Sequence, residues 1–207
     1  MLTYLLHAFS GPAGAFMYAL LAVMAFAITV IVERAWVLHG ARCDGGAVIE
    51  RARVALAAGK DAPDVARSIL GATPLERVVA TGLAWTDPDL AWDAMAGAAI
   101  DAERVIRRRI AYLSTVASVS TMIGLFGTVY GLILAFGALG DVAAAERAAR
   151  LSEGSSTAMA ATAMGLLVAI PALAAHAFLD ARARELLADI ERAAGEVVLT
   201  LKVRARR

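Results

Sequence analysis

Charge is missing from three long stretches of this 207-residue sequence. No Lys, Arg, Asp or Glu occurs from Met1 to Val32, from Ile110 to Gly140, or from Gly154 to Leu179. A helix crossing the hydrocarbon core needs about 20 mostly apolar residues, so each stretch is long enough to span. Cysteine is nearly absent: the single Cys43 excludes an internal disulfide and a cysteine-based zinc site, and no role is assigned to it. No basic residue occurs from Met1 to Ser10, so a cleaved signal peptide is not expected and the first apolar block reads as a retained anchor. No Ser-His-Asp set, metal-ligand cluster or phosphate-binding loop appears. The expectation is therefore of no enzyme active site, no metal and no cofactor.

What the sequence does have is apolar residues, at 60% of the chain with mean hydropathy +0.67. Soluble domains sit near 45–50%. The reading is an all-α integral membrane protein with three transmembrane helices and a small cytoplasmic helical region. The basic residues set its orientation. Arg34 to Arg109 holds most of them, with Arg107, Arg108 and Arg109 in a row. The tail holds Arg182, Arg184, Arg192, Lys202, Arg204, Arg206 and Arg207. By the positive-inside rule the N-terminus lies outside and both basic regions lie in the cytoplasm. Arginines that flank spans are what topology alone requires, so nucleic-acid binding has no support.

Punctuation divides the chain. Residues 1–37 form the periplasmic N-terminus and first span, with a turn at Gly11-Pro12 and the span proper from about Gly14 to Val37. Glu33 and Arg34 at its inner end read as interfacial anchors. Residues 38–109 form the cytoplasmic helical region, residues 110–140 the second span, 141–153 a periplasmic loop, 154–179 the third span, and 180–207 a C-terminal helix and basic tail. In the cytoplasmic region Asp44-Gly45-Gly46 breaks the chain, a helix over 47–58 ends at Gly59, and Asp61-Ala62-Pro63 opens a short helix closed by Gly71. Thr73-Pro74-Leu75-Glu76 has the pattern of a capping box, and Asp87-Pro88 that of another helix start. No proline or turn cluster follows until Gly140. One continuous helix is therefore expected from about Asp89 to Leu139, so that the second span extends into a long cytoplasmic stalk.

Two spans carry chemistry. In the second, Gly124, Gly127 and Gly131 include a GxxxG pair that lets helices approach closely. Ser114, Thr121 and Thr128 recur every seven residues, and Ser118 lies one turn from Ser114, so the four share a helix face. Two readings stand: a polar pore face, or hydroxyls that each bond their own i−4 carbonyl and do nothing more. The third span is rich in Ala, Gly, Ser and Thr, which favours tight packing through residues such as Gly165. Ser155 lies seven residues before Thr162, on the same face. Pro171 removes a backbone hydrogen bond and should kink the helix.

These motifs resemble the MotA/TolQ/ExbB proton-channel family. Gly124-Leu-Phe-Gly-Thr-Val-Tyr-Gly131 with Phe136 is similar to its second-span signature, and Thr162-Ala-Met-Gly-Leu-Leu-Val-Ala-Ile-Pro171-Ala172 to its third. Thr73-Pro-Leu-Glu-Arg with Gly82-Leu83 resembles the segment that precedes them. Three spans and this length resemble the TolQ/ExbB branch. The resemblance implies a homopentamer in the inner membrane of Gram-negative bacteria, with spans two and three lining a pore. It implies a single-span ExbD/TolR-like partner whose intramembrane Asp carries the proton, and it leaves room for a TonB/TolA-like envelope protein. Proton flow through such a complex would be coupled to work on the cell envelope. Thr128 and Thr162 match the family's pore-facing threonines, and Thr121, Thr157, Ser118 and Ser155 are further candidates for the proton pathway.

The sequence departs from the family pattern at three places. Thr157 stands where the family usually has a Glu. Ala174-Ala175-His176-Ala177 stands where an Asn is common, and Ser120-Thr121 where Ala-Pro is common. His176 reads as an interfacial residue, with a proton-carrying role as the alternative. A non-conducting scaffold of the same fold is the alternative function, and a small-solute transporter is the weakest fit, because the chain shows no internal repeat.

Overall fold

The computed structural model describes residue 9 and residues 14–137 and 144–206. The Gly11-Pro12 turn, the end of the second span at Gly140 and the first residues of the 141–153 loop lie outside them. Among the described residues there are seven helices: α1 (Gly14–Gly40), α2 (Gly45–Ala57), α3 (Ala62–Ile69), α4 (Pro74–Leu83), α5 (Pro88–Arg107), α6 (Ile110–Gly137) and α7 (Ala144–Ala205). Three helical stretches are long and apolar enough to cross a membrane, one around each charge-free block. The chain is an all-α membrane protein. It forms two compact units, residues 1–33 with 109–178 and residues 34–108 with 179–207.

In the second unit the helix starts are set by side chains. Asp44 accepts from Ala47 N at 3.2 Å at the head of α2. At the head of α4, Thr73 Oγ1 accepts from Glu76 N at 3.3 Å while Glu76 Oε2 accepts from Thr73 N at 3.2 Å, so the capping box closes in both directions. Asp87 accepts from Asp89 N at 2.8 Å and Leu90 N at 3.2 Å to start α5. Each bond satisfies a backbone N–H that the first helical turn leaves without a partner. The apolar faces then bury Val48, Val65, Val78, Val79, Leu83 and Met95 as the unit's core.

The continuous helix expected over 89–139 is not found. α5 ends at Arg107, Arg108 is extended at φ −52°, ψ 132°, and Arg109 is left-handed at φ 63° before α6 begins. A left-handed residue other than glycine costs about 1–2 kcal/mol. At this one Arg109 Nη1 sits 2.7 Å from both carboxylate oxygens of Glu33, and α6 restarts with Ile110 and Leu113 fully buried. A second departure concerns the loop. α7 begins at Ala144, well before the expected third span, and runs 62 residues without interruption through Pro171. The segment Ala144-Ala-Glu-Arg-Ala-Ala-Arg150 consists of strong helix formers, with Glu146 in the first turn, where a carboxylate favours the helix dipole.

Candidate functional site

The first unit is built around a seam between α6 and α7. On α6 the row Ser120, Gly124, Gly127, Gly131 and Ala135 is buried; on α7 Ala158, Ala161 and Gly165 are buried opposite it. A Cβ added at Gly124 would lie 3.2 Å from Gly165 Cα, one at Gly127 2.8 Å from Ala161 Cβ, and one at Gly131 3.1 Å from Ala158 Cβ. The partners run backwards along α7 as the glycines run forwards along α6, so the helices are antiparallel and nearly touch. Small residues permit this approach, and dispersion between the two backbones supports it.

The hydroxyls flank the seam. Thr162 Oγ1 donates across it to Gly124 O at 3.2 Å. The others bond within their own helix: Ser118 to Ser114 O at 3.2 Å, Thr121 to Ala117 O at 3.0 Å, Thr128 to Leu125 O at 2.5 Å and Thr157 to Glu153 O at 3.0 Å. Ser120, fully buried in the seam, donates to Val116 O at 2.7 Å.

Helix geometry decides which of these face together. At 3.6 residues per turn, Ser114, Ser118, Thr121 and Thr128 centre about 100° around α6 from its glycine row. Thr162 and Ser155 centre about 80° around α7 from its own small-residue row. Because the helices are antiparallel, both offsets lead to the same side of the pair. On that side Ser118 and Thr121 are exposed, while Ser114, Thr128, Ser155 and Thr162 are partly covered. Thr162 is level with Gly124, and Thr128 lies four residues, about 6 Å, further along.

α1 covers the other side. Phe16 meets Phe126 and Tyr130 edge-on, with ring centroids 5.4 and 5.5 Å apart. Met17 and Leu20 form a buried cluster with Ala161 and Met164. Thr157, five residues before Thr162, is about 140° from it around α7 and falls on the α1 side of the seam. Thr157 is therefore not brought together with the other candidates.

Charged and titratable groups stand at one end of this unit. Arg109 and Glu33 pair as described, and His176 Nδ1 is 3.1 Å from Ile110 O. A carbonyl can only accept, so Nδ1 carries the proton in this bond. In the second unit Arg34 is 5% exposed and donates to Val105 O at 3.3 Å, which is more than interfacial anchoring. Neither the Glu33–Arg109 tie nor the burial of Arg34 was expected, because both depend on contacts more than 70 residues distant. Among the described residues no three His, Cys, Asp or Glu side chains stand together as metal ligands would.

Comparison with known proteins bears on the same segment. The model of the MotA/TolQ/ExbB proton channel family matches residues 71–192, more than half of the chain. A biopolymer transport protein ExbB of Aquifex aeolicus is 37% identical over 94 residues, which are 45% of this chain and 63% of that protein. A Tol-Pal system protein TolQ of Haemophilus influenzae is 43% identical over 84 residues, 41% of this chain and 36% of that protein. The TolQ of Pseudomonas aeruginosa is 37% identical over 105 residues, 49% of this chain and 45% of that protein. Each match spans less than two thirds of the relative's length.

Proposed function

Because the chain belongs to the MotA/TolQ/ExbB proton channel family, on its TolQ/ExbB branch, we propose that it is the channel-forming subunit of an inner-membrane motor complex. In this reading it couples proton flow to work on the cell envelope. The observation that carries the reading is the two-sided character of the α6–α7 pair. α1 packs on one side, and the hydroxyls of Ser118, Thr121, Thr128, Ser155 and Thr162 collect on the other. Copies of the chain would turn that side inward, leaving α1 toward lipid, as a homopentamer with the N-terminus periplasmic and the C-terminus cytoplasmic. Inside would sit a single-span ExbD/TolR-like partner bearing an intramembrane Asp, and a TonB/TolA-like protein would receive the work.

Thr157, which stands where the family usually has a Glu, would favour the scaffold alternative if that charge belonged to the pore side. The position of Thr157 weakens that argument. It lies on the α1 side of the seam, so its lack of charge removes nothing from the side that carries Thr128 and Thr162. The test is substitution at the two threonines. Thr162→Val and Thr128→Val keep the shape and delete the hydroxyl; intramembrane hydroxyl bonds average about 0.6 kcal/mol, too little to unfold a packed bundle. Each variant is expected to fold, assemble and lose most proton-dependent activity in cells. Full activity in both would make these threonines structural and would favour the scaffold.

A further inference from the structure

The side of the α6–α7 pair that α1 covers is not filled along its whole length. Where Phe16 meets Phe126 and Tyr130 it is closed by rings. Nearer the end that carries Glu33 and Arg109, a groove of about 310 Å³ runs between α1 and α6, lined by Ala22, Val23, Phe26, Thr115, Val116 and Val119. Its walls are apolar except for the Thr115 hydroxyl. An ion pair stands at its mouth. Ala22, Phe26, Thr29 and Glu33 follow one another at intervals of four, three and four, so they share one face of α1. Tyr112, Thr115 and Val119 share one face of α6 in the same way. Arg109, just ahead of α6, reaches across to α1 with Nη1 2.7 Å from both carboxylate oxygens of Glu33. The pair thus bridges the two helices that line the groove. Along α1, Glu33 is about 10 Å from Phe26 and about 16 Å from Ala22. One leaflet of hydrocarbon is about 15 Å deep, half of the bilayer core. The groove therefore extends as far from the ion pair as a lipid tail extends from its headgroup.

We infer that this groove holds one tail of a phospholipid whose headgroup carries both a phosphate and a primary ammonium, as phosphatidylethanolamine does. Charge complementarity selects the headgroup. The bonds from Arg109 to Glu33 run through Nη1, which leaves Nε and Nη2 to offer a phosphate the forked donor pair it accepts well. Glu33 sets a negative charge beside that phosphate site, and an ammonium has three N–H groups to donate to it. Both side chains are about a third exposed, so a headgroup can reach them. A lipid that is only anionic gains nothing net from a neutral pair and sets its own charge against Glu33. A choline headgroup has a cation but no N–H to give. Tyr112, exposed on the groove stripe of α6, stands near the level of the pair, where aromatic side chains gather at bilayer surfaces. Nothing here requires proton conduction; a chain that spans a bilayer is enough.

The test is native mass spectrometry of the full chain in detergent, offered phosphatidylethanolamine, phosphatidylcholine or phosphatidylglycerol with identical tails. One phosphatidylethanolamine per chain is expected to be retained, about tenfold more tightly than either of the others, the worth of one charge-assisted hydrogen bond. Glycerophosphoethanolamine, the headgroup without tails, should not displace it. Ala22→Phe fills the groove from an exposed position and leaves the ion pair intact, and it should abolish retention. Glu33→Gln removes the anion and leaves Arg109 charged, so the order should reverse in favour of phosphatidylglycerol. No retention by the unchanged chain, equal retention of all three lipids, or a preference for phosphatidylglycerol or phosphatidylcholine overturns the inference. So does retention that survives Ala22→Phe, displacement by the headgroup alone, or an order that Glu33→Gln leaves unchanged. If Glu33→Gln does not fold, the unchanged chain and Ala22→Phe decide. Efficient crosslinking between chains through Ala22→Cys, in a Cys43→Ser background and in membranes rich in phosphatidylethanolamine, would seat a second copy in the groove and overturn the inference as well.

Discussion

A methyl group is too large for the place Gly165 occupies. A Cβ there would lie 2.7 Å from Ser120 O and 3.0 Å from Gly124 Cα, both main-chain atoms that cannot rotate away. Gly165→Ala should separate α6 from α7 and cost about 1–3 kcal/mol, the usual range for overpacking. It should also weaken the Thr162–Gly124 bond. Gly195, on the same helix, has nothing within 4 Å of its added Cβ, so Gly195→Ala should stabilise by about 0.5–1 kcal/mol. Unfolding both variants in detergent checks the opposite signs. At this scale the sequence is informative wherever the chemistry is local. The Thr73–Glu76 box was legible because both partners lie within four residues, and the hydroxyl stripe because period seven is a property of one helix. The destination of the Thr162 proton was not legible. Its acceptor is 38 residues away and comes within reach only because Gly124 has no side chain.

Among the elements, the break between α5 and α6 is the feature that local patterns failed to foretell. Helix stops are usually read from glycine and proline, and Arg107-Arg108-Arg109 has neither. The tie to Glu33 lies in a segment 76 residues earlier. Both side chains of that pair are over a third exposed, so it contributes about 0–1 kcal/mol, less than the left-handed conformation of Arg109 costs. The break is thus upheld by more than the pair, and the burial of Ile110 and Leu113 is the larger contribution. The backbone at residue 109 suits glycine. Arg109→Gly should be close to neutral, because relief of strain offsets the lost ion pair and the added freedom of the unfolded chain. Arg109→Ala keeps the strain and loses the pair, and should be less stable than Arg109→Gly by about 1 kcal/mol. Chemical unfolding of the two variants measures the difference. An alanine variant as stable as the glycine variant would mean that the chain straightens at this point in the native state.

For the molecule as a whole, charge-free length located the three spans, while the side each span turns to its neighbours came from packing. Small residues in the third span pointed to close packing there, and the seam with α6 is where it occurs. The rings of Phe16 against Phe126 and Tyr130 define which side of the α6–α7 pair is covered. The absence of Asp, Glu, Lys and Arg from the three charge-free blocks has a consequence for conduction. Moving one charge through 100 mV is worth about 2.3 kcal/mol. A path through hydrocarbon lined by hydroxyls alone sets a far larger barrier, because hydroxyls order water and pass hydrogen bonds but hold no charge near neutral pH. The purified chain in liposomes with a pH-sensitive dye is expected to show no specific proton flux, and flux should appear only with a partner that brings a carboxylate to the level of Thr128 and Thr162. Flux from the chain alone would place the proton carrier within this chain.

The seam between α6 and α7 also has a genetic consequence. Every replacement of a glycine is an enlargement, so damage there can be undone only by shrinking whatever lies opposite. At Gly127 that is possible: an added Cβ meets Ala161 Cβ at 2.8 Å, and its next neighbours, Phe16 Cβ and Cγ, lie at an ordinary 3.6 and 3.7 Å, so Ala161→Gly should restore a strain weakened by Gly127→Ala. At Gly124 it is not, since the added Cβ meets Ala161 O at 3.0 Å, Gly165 Cα at 3.2 Å and Thr162 Cα at 3.3 Å, all of them backbone. A selection for second-site revertants should therefore recover partners for Gly127→Ala on the facing helix, and for Gly124→Ala only true reversion or changes elsewhere in the fold.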